Sequence, residues 1–206
     1  PLASGEISNL QASYFLIIML LVGFVCLYQL NIKTWFLAIS AIPMVILYPL
    51  AKRFTKWPQI ILGLTFSWAV PTAWSSANEQ WNLGILIMYL ATVLWIIGYD
   101  TIYGCQDKNE DEIFGIKNSA VSAKNFLTLF VGCAYSLMFI LLIISGYLLK
   151  TSIFWYIGVS ICGLHLLRQV IKLKNIEQNN PLQIFKSNVL LGLILTLSSL
   201  GNYIVP

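Results

Sequence analysis

Residues 81–99 read WNLGILIMYLATVLWIIGY, and residues 100–112 continue as DTIYGCQDKNEDE. The first string carries no charge and is long enough to cross the hydrocarbon of a bilayer as a helix. The second holds Asp100, Asp107, Glu110, Asp111 and Glu112, most of the chain's 8 carboxylates. If the helix runs on at about 100° per residue, Asp107 and Asp111 fall within roughly 20° of Asp100, and three acids line one stripe. Like charges at that spacing repel, and ionisable groups at a membrane boundary are costly without partners or a function. A divalent cation is the simplest partner.

The rest of the chain extends this pattern. Of its 206 residues 58% are hydrophobic and 10% charged, and the mean hydropathy is +0.79. No ordinary water-soluble domain carries that balance on its surface. Seven apolar runs are long enough to span a membrane, near 14–30, 34–50, 59–77, 81–99, 126–148, 152–171 and 188–205. They read as helices, because lipid offers backbone groups no outside partner and barrel strands would alternate in polarity. The fold class expected is therefore all-α, a single polytopic transmembrane helix bundle over 1–206. Pro43 and Pro71 lie inside the second and third runs, where a missing N–H and a ring clash kink a helix.

Charge placement supports the count. With alternate connections on one side, Lys52, Arg53, Lys56, Lys108, Lys117, Lys124, Arg168, Lys172, Lys174 and Lys186 share a face, and only Lys33 and Lys150 stand opposite. That is the bias of an inner face, so the acidic segment is expected there too. The net charge of +4 suits an anionic lipid surface or an anionic substrate. Nucleic acid is not expected as a partner, since no basic stripe with interleaved aromatics occurs. Cys26, Cys105, Cys133 and Cys162 are scattered without disulfide or metal spacing and read as small apolar fillers.

Each polar cluster has two readings. Asp107 and Asp111, four apart, either flank one ion or form a solvated acidic turn. Magnesium prefers oxygen ligands and is commonly held by one or two carboxylates plus a substrate's phosphates, and Asp100 at the apolar border favours that reading. Gly115-Ile116-Lys117-Asn118-Ser119-Ala120 is either a cradle for a diphosphate or a polar loop before the next helix. Lys52 and Arg53 either anchor a helix end at the lipid surface or, for Arg53, hold a carboxylate in a bidentate fork. His165, the single histidine, reads as a packing or interfacial residue.

Tyr99-Asp100-Thr101-x-Tyr103-Gly104-x-x-Asp107-Lys108-x-x-Asp111, followed by Gly115-Ile116-Lys117, closely resembles the second Asp-rich motif of the UbiA family of intramembrane prenyltransferases. Tyr48-Pro49-Leu50-x-Lys52-Arg53-x-Thr55-x-x-Pro58-Gln59 resembles the inner loop of its 4-hydroxybenzoate polyprenyltransferase branch. Pro1-Leu2-Ala3-Ser4-Gly5 resembles the stretch after the family's first Asp-rich motif. The resemblance implies nine membrane helices and two magnesium-binding motifs, of which seven helices and one motif stand here. A segment carrying the first two helices and the first motif is thus expected before Pro1, and the 206 residues alone are expected not to catalyse the transfer. Asn118 departs from the pattern, which more usually has a small hydroxyl residue there.

The implied reaction is transfer of a polyprenyl chain from polyprenyl diphosphate to the ring of 4-hydroxybenzoate in ubiquinone biosynthesis. It would take place in the bacterial inner (plasma) membrane or the mitochondrial inner membrane, with membrane lipid around it. By the same resemblance Asp107 and Asp111 are Mg2+ ligands, and Asp100 supports the metal–diphosphate or a nearby base. Lys108 and Lys117 bind phosphate, and Arg53 holds the carboxylate, with Lys52 and Tyr103 completing the substrate-binding set. Two other readings fit the residues: a family enzyme using homogentisate or a naphthoate, and a cation-coupled transporter with Asp100 as its ion site.

Overall fold

The computed structural model describes residues 1–2, 4–77, 80–107, 113, 115, 117–123, 126–176 and 178–201, and for Lys52 the backbone alone. The described residues form helices and turns, with no strand among them. In chain order the helices are α1 (Asn9–Tyr28), α2 (Ile32–Ile39), α3 (Ile42–Phe54), α4 (Pro58–Ser67), α5 (Ala69–Ser76), α6 (Leu83–Tyr103), α7 (Ser119–Ser122), α8 (Leu127–Leu148), α9 (Ile153–Lys174), α10 (Pro181–Lys186) and α11 (Asn188–Leu200).

Six spans among the described residues are long and apolar enough to cross a membrane: 9–28, 32–51, 83–103, 127–148, 153–174 and 181–200. The protein is a multi-pass integral membrane protein. The third expected run, 59–77, is interrupted at Trp68 and forms two short helices, α4 and α5. Pro71 supplies the reason, because it has no N–H to give Ser67 and its ring crowds that carbonyl. Pro43 acts likewise on Ile39, and the α2–α3 span breaks at Ser40 and Ala41. End to end, α4 and α5 still reach about 28 Å at 1.5 Å per residue, close to the hydrocarbon thickness of about 30 Å. The last span begins earlier than expected, at Pro181, because Asn180 caps α10 by accepting from the Leu182 N–H.

Lipid gives apolar side chains no reason to prefer one another, so helices must meet through close backbone approach and hydrogen bonds. The central helix, α6, packs on α4 on one side and α8 on the other. Gly63 lies against α6 so tightly that a β-carbon there would stand 2.9 Å from the Val93 carbonyl oxygen. Across the bundle, Gly98 leaves the space that the Tyr135 ring occupies, and Gly158 does the same for Ser198. Hydrogen bonds pin these contacts: Tyr89 Oη donates to the Leu64 carbonyl at 3.1 Å, and Ser145 Oγ to the Gly84 carbonyl at 2.9 Å. By contrast α1 has no buried residue, and meets α2 through Phe24 and Tyr28 against the Trp35 ring.

The connections sort to two ends as the charges require. Asn31 Nδ2 donates to the Ser75 carbonyl at 2.6 Å, joining two outer connections. At the other end Lys117 Nζ donates to the Arg53 carbonyl at 3.1 Å, and Ser122 Oγ to the Lys56 carbonyl at 2.9 Å. The basic connection 55–57 and the segment after the acids thus meet at the inner end.

Candidate active site

The acidic segment begins inside α6 and leaves it. Asp100, half-buried in the last turn, accepts from the Gly104 N–H through its backbone carbonyl at 2.9 Å. The helix then stops at Tyr103, and turns carry the chain through Cys105 and Gln106 to an exposed Asp107. The expected helical stripe from Asp100 to Asp107 therefore does not form. Gly104 is the cause: it is a poor helix former, and the Asn118 side chain packs where its β-carbon would be, donating from Nδ2 to the Gly104 carbonyl at 3.0 Å. Asp111 and Lys108 lie outside the described residues.

Asp100 follows Tyr99 in the last turn of α6. From there an aromatic wall runs along α6. Trp95 and Tyr99 meet edge to face at 5.8 Å, Tyr99 meets Phe185 of α10 at 5.5 Å, and Tyr103 meets Phe185 at 4.9 Å. Behind it, towards the outer face, a chamber of about 260 Å³ is bordered by Met88, Thr92, Trp95, Met138, Trp155 and Thr196. Its threonines donate to carbonyls of their own helices, Thr92 to Met88 and Thr196 to Gly192, so they add little polarity.

The basic side comes from α3. Arg53 and Phe54 end the helix exposed, and the Arg53 carbonyl is the acceptor for Lys117. Lys117 spends one of its three donors on that bond, leaving two for an anion. Lys52 stands in the last turn of α3 by its backbone. The structure thus brings Arg53 and Lys117 to one place, puts Asp107 at the same end on the connection from α6, and sets Asp100 and Tyr103 at the inner end of α6.

Sequence reasoning missed several of these residues. Trp95 and Tyr99 precede the expected Tyr103 at four-residue spacing on α6, a periodic signal that was available. Phe185 had none, because its role depends on where α10 packs. Gln59 stands alone as an amide in an apolar run, and it is 4% exposed and hydrogen-bonded through both its Nε2 and its Oε1.

A helix bundle with six apolar spans, whose described residues gather Asp100, Asp107, Arg53 and Lys117 at one end beside the aromatic residues of α6, defines a multi-pass intramembrane protein with its polar side chains concentrated at that end. The UbiA prenyltransferase family model matches residues 1–195. The chain belongs to the UbiA prenyltransferase family. It is 38% identical over 204 residues to the 4-hydroxybenzoate octaprenyltransferase of Francisella tularensis subsp. novicida, covering 99% of this chain and 72% of that one. It is 36% identical over 198 residues to the mitochondrial 4-hydroxybenzoate polyprenyltransferase of Drosophila melanogaster, covering 96% of this chain and 50% of that one. In fold it is similar to a UbiA homologue from Aeropyrum pernix K1, with a TM-score of 0.82 at 20% identity, over 96% of this chain and 74% of that one.

Proposed function

We propose that the protein transfers a polyprenyl chain from polyprenyl diphosphate to the ring of 4-hydroxybenzoate, in ubiquinone biosynthesis. The observation that carries this reading is the junction in which Lys117 bonds to the Arg53 carbonyl, at the end of the bundle where α6 finishes with Asp100, Tyr103 and the exposed Asp107. Relatives of that activity, similar over nearly the whole chain, support it.

The reaction breaks the allylic C–O bond, and its electron pair leaves with the diphosphate. The ring carbon ortho to the phenol then bonds to the allylic carbon and loses its proton. The donor set of the acidic segment fits magnesium: its carboxylates offer oxygen, and the neighbouring Cys105 thiol is turned back onto the Thr101 carbonyl. Held by Asp107 and Asp111, with Asp100 in support, magnesium would supply positive charge to the departing diphosphate. Lys117 and Lys108 add cationic donors to the same oxygens. Arg53 holds the benzoate carboxylate through its planar fork. Trp95, Tyr99, Tyr103 and Phe185 offer ring faces to the allylic cation and exclude the water that would capture it. The apolar chamber behind Trp95 suits the isoprenoid tail.

Membranes containing the protein at its full coding length, given polyprenyl diphosphate, 4-hydroxybenzoate and magnesium, should release pyrophosphate and form the prenylated acid. Faster product formation with homogentisate or a naphthoate would overturn the acceptor, and the absence of magnesium-dependent pyrophosphate release would overturn the reaction.

A further inference from the structure

Among the described residues, hydrogen bonds join the two inner connections both at the rim and in the buried layer beneath it. Lys117 to the Arg53 carbonyl and Ser122 to the Lys56 carbonyl lie at the exposed rim, where water competes for each partner. Gln59, on the first turn of α4, is enclosed beneath them. Its Nε2 donates to Asn118 Oδ1 at 3.2 Å, and its Oε1 accepts from the Ser119 N–H at 3.1 Å. Asn118 in turn caps α7 by accepting from the Ala120 N–H at 3.0 Å, and its Nδ2 reaches the Gly104 carbonyl at 3.0 Å. One turn earlier on α6, the Thr101 and Ser119 hydroxyls share a hydrogen bond of 2.8 Å. Gln59 is 4% exposed, Asn118 2%, and Thr101 and Ser119 are at 0%.

This network has a particular geometry. Gly104 is where the chain leaves α6 for the acids, and Asn118 is where it returns, so their bond closes the base of the connection that carries Asp107 and Asp111. Gly104 permits the closure because a β-carbon there would stand 2.5 Å from Asn118 Oδ1. Gln59 then ties that closed base to the start of α4, six residues after Arg53. A primary amide suits the place, because it presents a donor and an acceptor side by side. Glu would keep the acceptor for the Ser119 N–H and lose the donor.

We propose that Gln59 and Asn118 form a buried amide latch that sets the acidic connection at a fixed distance from the basic one, making both positioning residues for the reaction. The proposal rests on the prenyl-transfer reading, in which the diphosphate is held by the acids and the acceptor by Arg53. With each substrate held by its own connection, the latch sets the distance between reacting carbons rather than the affinity for either substrate. A misplacement of about 1 Å between bound reactants costs up to about a hundredfold in rate.

The test compares the parent at its full coding length with Gln59→Ala, Gln59→Glu, Asn118→Ala and the double variant Gln59→Ala/Asn118→Ala in membranes, with rates expressed per folded protein. Hydrogen exchange of the Ser119 amide is followed in parallel. Each single variant should lower kcat by about tenfold or more while both KM values stay within about threefold, and the double variant should be no worse than the poorer single one. Exchange at Ser119 should accelerate in Gln59→Ala and stay near the parent's in Gln59→Glu, which keeps the acceptor for that amide. A kcat unchanged per folded molecule overturns the latch, as does a rise confined to one KM or multiplicative losses in the double variant. An inactive parent instead overturns the prenyl-transfer reading; the latch then stands or falls on whether Asn118→Ala speeds exchange in the basic connection 55–57 as well as at Ser119.

Discussion

Adding one methyl group to Gly98 tests the central packing of the bundle, and its effect can be worked from the contacts. A β-carbon at Gly98 would stand 2.8 Å from Tyr135 Cδ1 and 3.0 Å from Cζ. Tyr135 is 3% exposed and held by a hydrogen bond from its Oη to Gln169 Oε1 at 2.9 Å, so the ring cannot withdraw without breaking that bond. Overpacking of a filled interior costs about 1–3 kcal/mol, and the lost hydrogen bond about 1 kcal/mol more. Against this, alanine is favoured over glycine in a helix by about 1 kcal/mol. Gly98→Ala should therefore destabilise the protein by about 1–3 kcal/mol. Gly132→Ala is the control with the same chemistry and open space, its nearest neighbour being Val170 Cγ1 at 3.7 Å. That variant should be unchanged or up to about 1 kcal/mol more stable, so the two substitutions differ in sign. Unfolding by sodium dodecyl sulfate in mixed micelles reads both. A Gly98→Ala protein as stable as Gly132→Ala would refute the tight α6–α8 contact and, with it, the placement of the wall that Tyr99 carries one residue on.

Three further outcomes are expected. Asp107→Asn and Asp111→Asn should each lower turnover by orders of magnitude, assayed at limiting magnesium, and Asp107→Asn should leave the fold intact because Asp107 is exposed; near-normal turnover of both would end their metal role. Arg53→Lys should raise the KM for 4-hydroxybenzoate more than that for the diphosphate, because the fork and not the charge is lost; an equal rise would assign Arg53 to the phosphates. In a cysteine-free background, an impermeant reagent should reach Ser76→Cys from one side of the membrane and Lys117→Cys from the other, and labelling of both from one side would break the topology.

Much of this molecule is written in local sequence. Long uncharged runs can satisfy their backbone in lipid only as helices, so the class of fold follows from hydropathy alone. Basic residues set the inner face, and the bonds from Lys117 to Arg53 and from Ser122 to Lys56 bring together the connections that the charge pattern assigned to one side. Pro43 and Pro71 mark their breaks because the missing N–H acts one turn away, within reach of a sequence rule. The two motifs carried the family. Tertiary structure alone decided where α6 ends: periodicity continues the helix through Asp107, but a side chain from residue 118 takes up the Gly104 carbonyl and fills the space beside it. It also decided that Phe185 closes the aromatic wall and that Gln59 is buried and bonded through both ends of its amide. The physical reason is the same in each case: hydropathy, charge and proline act over a turn or a span, whereas a hydrogen bond or ring contact between residues tens of positions apart exists only once the helices that carry them have packed.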